Sequence, residues 1–540
     1  MSADLPDGIS RRTFVDRIAR TGAALSVVPL GGPLIIPRRL LGGPGYLAPS
    51  RTLNVACIGI GGMGMNNMLE VLKAGDNVVA VCDVDFPFVE RSLAGRLRAR
   101  ATVPAGQEAD EVARLADGAR LRDSYTRAAK YGDFRDMLDK QKDIEAVLIA
   151  TPDHLHAVMA HRAMKAGKHV YVQKPLTYSV YESRLLARTA RETGVVTQMG
   201  NQGHSQEGTR RINEIIAAGI IGPVREVHVW TDRPQRYWAQ GIPRPGSAAP
   251  ASVSTPVSPT GTATSTTPAA PVTSPVHPRW SIRTVDNAIL RAMADNPQSP
   301  PPGFDWNQFL GPAKDRPYHP SYHPFSWRGW LDFGVSAIGD MGAHLMDQPY
   351  WALGLRYPTS IMATSTPWGS PANNPASYPL AMTARYEFAA RGRGQPAVTM
   401  YWYDGGLMPM LSNDIPLPTG DGGGGIFIGE KGFLTYETYG NNPTVYPTAL
   451  AAKAARVPKT MPRVTTTHEA NWTAACKGEA QASAPFEYAA RLTEVMLLGV
   501  VALRAGQGKR LLYDGEAMRV TNLPDANQYL TREYRAGWEL

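Results

Sequence analysis

The chain has 540 residues and a formal net charge of +9, with 43% apolar and 19% charged side chains. These values are ordinary for a globular protein and allow roughly two to four domains with sizeable cores. The basic residues are scattered, with no run resembling a nucleic-acid arm, and three cysteines (Cys57, Cys82, Cys476) are too few for a disulfide framework, so both a nucleic-acid partner and a disulfide-stapled fold are argued against.

Residues 1–50 carry six Arg, no Lys and three Asp. They include S-R-R-T-F-V at 10–15, where Arg11 and Arg12 precede a mildly apolar stretch, Ala19 to Pro37. This reads as a twin-arginine export signal, which makes the export machinery a partner and a periplasmic or otherwise extracytoplasmic location the expectation. Gly22, Pro29, Gly31, Gly32 and Pro33 weaken the apolar stretch, so it resembles a signal h-region more than a stable anchor, with a retained anchor left open. The route carries folded proteins, so a cofactor can be loaded before export. Sparse cysteine suits folding in the reducing cytoplasm.

From 51 to about 200, short β-branched runs alternate with helical stretches. Strands are predicted at Asn54–Ile58, Val78–Cys82, Ala146–Ile149, His169–Val172 and Val195–Met199. Helices are predicted within Met65–Lys73, Phe134–Asp139, His156–Ala166 and Tyr181–Glu192. Such alternation implies a doubly wound parallel sheet, an α/β Rossmann domain. G-I-G-G-M-G at 59–64 follows the first strand and opens a helix. In that place Gly59 permits the tight turn, Gly61 lets the backbone approach a pyrophosphate, and Gly64 lets helix and strand pack; Gly62 and Met63 complete the loop. Asp83, at the end of the second strand, would accept hydrogen bonds from ribose hydroxyls and repel a 2′-phosphate, which favours NAD over NADP.

From 201 to 540 an α+β domain on a large, mainly antiparallel sheet is expected. It begins with a helix at Glu207–Ala218 and a strand at Val224–Trp230. Residues 246–278 are nearly all Ser, Thr, Pro, Ala, Gly and Val and cannot pack a core, so 246–300 reads as a low-complexity insertion, with one short helix at Ile282–Ala294. Strands follow at Met382–Phe388, Val398–Tyr403, Ile426–Ile428 and Phe433–Tyr436, then a helix at Tyr488–Arg504. In R-P-Y-H-P-S-Y-H-P-F-S-W-R-G-W (316–330), His319 and His323 have i, i+4 spacing. Pro320 and Pro324 disfavour a helix there, and no carboxylate or cysteine cluster accompanies them, so no metal site is expected. Trp327 and Arg328 are substrate-pocket candidates, the ring stacking on C–H surfaces of a ligand and the guanidinium binding hydroxyls or a carboxylate; plain loop packing is the competing reading.

Three further motifs appear in order: A-T-P-D-H-L-H (150–156), A-G-K-H-V-Y-V-Q-K-P-L (166–176) and A-I-G-D-M-G-A-H-L-M-D (337–347). With the glycine loop, they make the chain resemble the Gfo/Idh/MocA oxidoreductase family from about residue 51 onward, outside the insertion. The resemblance implies that Lys174 contacts the nicotinamide ribose and the reacting hydroxyl. It implies that Asp340 and His344 form an acid–base pair, and that Thr151, Asp153 and His156 line the nicotinamide side. Asn201 is expected to face the cofactor, and His204 and Tyr403 to touch substrate. Independently of any family, hydride removal from an alcohol needs a group to take the hydroxyl proton, which a histidine near neutral pH can do. A helix cap is the competing role for Asp340. One departure stands out. The family's glutamate before the lysine is Gln173 here, which removes a negative charge beside Lys174 and is expected to tune the chemistry.

The twin-arginine signal implies export with a tightly held nicotinamide cofactor, and the resemblance implies an enzyme acting on CH–OH groups of a sugar, polyol or sugar derivative, in a homo-oligomeric assembly. Two alternatives stay open: a redox-cycling, NAD-dependent glycosidase, and a non-catalytic sugar- or dinucleotide-binding protein.

Overall fold

The computed structural model describes residues 52–540 apart from 236, 243, 246–297, 367–375, 393, 412–414 and 419–421. The twin-arginine segment, almost all of the 246–300 insertion and the helix expected at Ile282–Ala294 lie outside the described residues.

The first part runs β1 (Asn54–Ile58), α1 (Met63–Lys73), β2 (Asn77–Cys82), α2 (Phe86–Leu97), α3 (Glu108–Arg127), β3 (Ala129–Tyr131), α4 (Phe134–Lys140), β4 (Ala146–Ile149), α5 (His156–Lys165), β5 (His169–Val172), α6 (Val180–Thr193) and β6 (Thr197–Met199). Its six strands form one parallel sheet in the order β3-β2-β1-β4-β5-β6. The central strands are apolar on both faces: all four residues of β4 and the last four of β1 are buried, as helices on both sides require. The strand order reverses between β1 and β4, so a crevice opens at their carboxyl ends, where open α/β sheets take ligands. Local signals set the helix ends. Ser179 and Glu182 form a reciprocal capping box that starts α6, and Gly194, at φ 65°, ends it. The sequence pattern predicts no elements at α2, α3 and β3; α3 in particular is strongly charged with few apolar residues at helical spacing. The last strand is also shorter than expected, Thr197–Met199 rather than Val195–Met199.

The second part contains α7 (Glu207–Ala217), β7 (Val224–Trp230), α8 (Trp306–Leu310), α9 (Ser336–Leu345), α10 (Asp347–Ala352), β8 (Ser360–Ser365), β9 (Met382–Phe388), β10 (Val398–Tyr403), β11 (Gly424–Gly429), β12 (Phe433–Glu437), β13 (Thr444–Tyr446), α11 (Thr448–Ala454), α12 (His468–Cys476), α13 (Phe486–Ala505), β14 (Leu511–Asp514) and β15 (Arg519–Val520). Among the described residues nine strands pair as β13-β12-β11-β7-β10-β9-β8-β14-β15. Of these pairs only β7 with β10 runs parallel, so the sheet is mainly antiparallel, as expected. The period of two is plain in β10: Val398, Met400 and Trp402 are buried while Thr399, Tyr401 and Tyr403 face the other side. The buried face packs on α13, where Gly499 lets the helix approach; a Cβ there would lie 2.2 Å from Tyr386 Oη. Among the described residues no helix is long and apolar enough to cross a membrane.

Candidate active site

At the carboxyl end of β1, Gly59 holds φ 78°, and a Cβ on it would meet the Ala150 carbonyl oxygen at 2.8 Å. A Cβ on Gly64 would sit 1.9 Å from the Gly59 carbonyl oxygen, so the first turn of α1 can press on the strand only without one. Gly62, the residue before α1, borders open space, and no side chain caps the helix. Uncapped N–H groups at the positive end of an 11-residue helix, with room in front of them, fit a dinucleotide pyrophosphate.

Asp83 lies at the far side of this loop. Its Oδ2 accepts from Ile60 N at 2.8 Å and its Oδ1 from Asp85 N at 2.9 Å. Burial raises this carboxyl above the usual range, against the pull of the Asp85 and Ile60 amides. The carboxylate therefore braces the glycine loop while lining the same cavity as Gly59, Gly61, Gly62 and Met63.

From Asp83 the cavity runs past Thr151 and Gln173 to Lys174 and Arg328. Its outer wall comes from the aromatic-rich segment of the second part, including His323, Phe325 and Trp327. His323, considered and set aside as a metal ligand, stacks on Phe304 at 4.5 Å and pairs with Asp85, Nε2 to Oδ2 at 2.8 Å. The backbone adds a second tie, Asp305 N to Val84 O at 2.8 Å. Among the described residues no group of three or more His, Cys, Asp or Glu could hold a metal ion.

At the other end, Lys174 Nζ donates to Asp340 Oδ1 at 2.9 Å and to the Asp340 carbonyl at 2.7 Å. Arg328 Nε donates to the same Oδ1 at 3.1 Å, and Arg233 Nε stands 3.6 Å from Oδ2. Burial alone would raise the Asp340 carboxyl, but Lys174, Arg328 and Arg233 outweigh it and hold it well below the usual carboxylate range. Asp340 lies inside α9, whose N-cap residue is Val335, so it is not a helix cap. His344, one turn on, meets the Tyr439 ring edge-on at 4.6 Å. Burial and the Lys174 charge press its imidazole well below the ordinary range, so it is neutral at pH 7, and its Nδ1 has no hydrogen-bond partner among the described residues; like Asp340, it stands behind Lys174 rather than among the residues that line the cavity.

Several expected contacts fall elsewhere. Asp153 does not line the cavity: it is buried behind it, with Oδ2 accepting from Val335 N at 3.1 Å, and burial pushes its carboxyl up to about 7 against Arg328 and Lys174. His156 does not line it either. Its Nδ1 lies 2.8 Å from Pro175 O and its Nε2 2.9 Å from Thr151 O, and because burial lowers its pKa to about 4 the neutral ring donates to one of these two carbonyls. It holds the segments that carry Thr151 and Lys174. Asn201 and His204 both turn to Asp347, at 3.3 and 2.9 Å, and His204 stacks on Trp351 at 4.0 Å. Tyr403 points to the opposite face of the large sheet, where its Oη meets His228 Nδ1 at 2.9 Å. Asp347, Arg233 and the inward role of His323 were missed by the sequence reading, since each depends on a partner more than 100 residues away.

Comparison with known proteins follows the same division. Residues 53–201 match the model described as an oxidoreductase family, NAD-binding Rossmann fold (GFO_IDH_MocA). Residues 290–364 match the C-terminal alpha/beta domain of the same family. A 1-carboxy-3-chloro-3,4-dihydroxycyclohexa-1,5-diene dehydrogenase of Comamonas testosteroni is 35% identical over 117 residues, 21% of this chain and 29% of that protein. An inositol 2-dehydrogenase of Salmonella paratyphi B is 28% identical over 181 residues, 33% of this chain and 45% of that protein. The chain thus spans less than half the length of these curated relatives. A solved WlbA dehydrogenase from Bordetella pertussis, in complex with NADH and UDP-GlcNAcA, superposes with a TM-score of 0.49 at 14% identity, over 86% of this chain and 99% of that one. By the family models, residues 53–201 are similar to the NAD-binding Rossmann domain, and residues 290–364 to part of the C-terminal alpha/beta domain, of the Gfo/Idh/MocA oxidoreductase family.

Proposed function

We propose that this protein is an exported, NAD-dependent oxidoreductase that acts on a CH–OH group of a sugar, polyol or sugar derivative. The observation that carries the reading is the position of Lys174, fixed on Asp340 at the end of the dinucleotide cavity. Bound NAD supplies the hydride acceptor. Asp340, ionised, aims the ammonium of Lys174, and that charge stabilises alkoxide character on the substrate oxygen. His344, held neutral and with Nδ1 unpartnered among the described residues, is assigned the hydroxyl proton; its lowered pKa makes it a weak base, so the Lys174 charge on the developing alkoxide carries most of the step. Arg328 and Trp327, on the same wall, supply a hydrogen-bonding edge and a ring face for a polyhydroxylated ligand. The twin-arginine motif supports export with the cofactor already loaded.

The test begins with protein from the exported fraction, purified without added cofactor and then denatured. Mass spectrometry identifies the released nucleotide. Stoichiometric NAD supports a resident cofactor; an empty protein overturns that part. A polyol and sugar panel, followed by nicotinamide absorbance, then tests the reaction. Release of an aglycone from a chromogenic glycoside without added NAD would replace net oxidoreduction with the glycosidase reading, and sugar binding with no absorbance change would replace it with a binding protein.

A further inference from the structure

A second cavity, of about 610 Å³, shares no lining residue with the dinucleotide cavity. It lies among Tyr178, the segments around 313–316 and 331–332, the end of α13 and the 528–533 stretch. Five cationic side chains line it, Arg244, Lys314, Arg316, Arg504 and Arg532, against two carboxylates, Asp332 and Glu533.

The carboxylates do not balance the cations. Asp332 is shared, Oδ2 with Arg244 at 2.7 Å and Oδ1 with Arg316 at 2.6 Å. Glu533 is exposed and pairs with the equally exposed Lys314. Arg504 and Arg532 have no carboxylate partner among the described residues. Ring faces hold them instead: Arg504 lies 4.4 Å from the Tyr529 centroid and Arg532 4.4 Å from that of Tyr178. Glu182, whose charge Arg532 also feels, is engaged by the amides of Tyr178 and Ser179 and by Tyr534 Oη. Nε of Arg316 and Nε of Arg532 are buried with no hydrogen-bond partner among the described residues.

A guanidinium stacked on a ring is oriented, and its N–H edge stays available. Four half-buried guanidinium groups around one polar cavity repel each other, and a low-dielectric surround strengthens that repulsion. An anion with several acceptor oxygens relieves both the repulsion and the missing hydrogen bonds. Phosphate matches the guanidinium fork in shape and carries the charge. We propose that this cavity is a second ligand site, and that it takes a phosphate group, either as inorganic phosphate or on a small phosphate monoester. The site adjoins the cofactor wall, because Arg532 Nη1 reaches the His154 carbonyl at 3.5 Å, and His154 stands between Pro152 and Leu155 of that wall.

The experiment uses the full protein saturated with NAD, so that the glycine loop is filled. Melting temperature is followed against inorganic phosphate, glycerol 3-phosphate and, at matched ionic strength, sodium chloride. A saturable rise with phosphate but not chloride is expected, and whichever of the two phosphate probes saturates at the lower concentration identifies the source. Arg504→Gln, and Arg504→Gln with Arg532→Gln, should weaken the response at least about tenfold while NAD binding stays at the parent level. If the double variant fails to fold, the single variant decides. An equal rise with chloride, or a parent-like phosphate response in folded Arg504→Gln, overturns the site.

Discussion

Lys174 and Asp340, 166 residues apart, meet twice: Nζ donates to the carboxylate at 2.9 Å and to the backbone carbonyl of the same residue at 2.7 Å. The double contact ties the end of the parallel sheet to α9 and sets the ammonium at the mouth of the cofactor cavity. Two consequences follow for mutagenesis. Lys174→Met should lower turnover by about 100-fold or more, the scale of a lost electrostatic stabiliser, with NAD affinity little changed; steady-state kinetics beside a fluorescence titration would separate the two. Asp340→Asn should also cost stability, by about 3–5 kcal/mol, because Lys174, Arg328 and Arg233 lose the carboxylate they surround. The carboxyl is depressed in the folded state, so its contribution is present above the unfolded pKa and fades as pH falls through the folded one. The variant's deficit, read from denaturant melts, should therefore be full at pH 7 and shrink in strong acid.

Gln173 lines the cavity beside Lys174, and its Nε2 donates to Asn67 Oδ1 at 3.0 Å. Asn67 in turn donates to Glu469 at 2.6 Å. Gln173→Glu would add a negative charge next to Lys174 and favour the protonated lysine. The pH profile of turnover should shift upward; an unchanged profile would show that the amide at this position does no tuning.

Asp153 should work against stability as pH rises. Its carboxyl is pushed up to about 7 from an ordinary value near 3.8, so the folded state holds the proton longer than the unfolded chain does. The stability this confers is complete below the unfolded value and is lost as pH rises toward 7, at roughly 1.4 kcal/mol per unit within that window. Asp153→Asn keeps an acceptor for Val335 N and has no proton to lose. The difference in melting temperature, variant minus parent, should move in the variant's favour between pH 4 and pH 7, and a flat difference would contradict the buried, proton-holding carboxyl.

His323 closes the dinucleotide cavity through Asp85 at 2.8 Å and through its stack on Phe304. His323→Ala removes a hydrogen bond to a charged group and the ring that roofs the cavity. Nucleotide should leave the purified protein about tenfold faster or more, as expected for the loss of one such bond. Retained nucleotide, measured by absorbance after buffer exchange at successive times, checks this. An unchanged release rate would mean that the aromatic segment does not hold the cofactor.

The Rossmann sheet and its glycine loop were legible because their signals are local. Gly59, Gly61 and Gly64 follow a β-branched run directly, and Asp83 ends the next strand. Lys174 and Asp340, each in a short motif, were named from the sequence, and the fold brings them to 2.9 Å. The two helices between β2 and β3 were not, because charge, rather than an apolar stripe, covers most of α3.

Histidines show the limit most clearly. A one-dimensional pattern says that His156, His204, His323 and His344 are present, but not which ring nitrogens are already used. Packing decided that. His156 has a backbone carbonyl beside each ring nitrogen, His204 sets Nδ1 against Asp347, His323 turns Nε2 inward onto Asp85, and His344, whose Nδ1 like that of His323 is buried with no hydrogen-bond partner among the described residues, stands one turn from Asp340. The local chain was thus enough to specify a dinucleotide-binding turn and the kinds of group that serve it, because a turn and a strand end depend on neighbours a few residues away. Which side chains meet, and which carboxylates stay ionised, were decided by contacts spanning up to several hundred residues, since burial and the surrounding charges exist only once both sheets are in place.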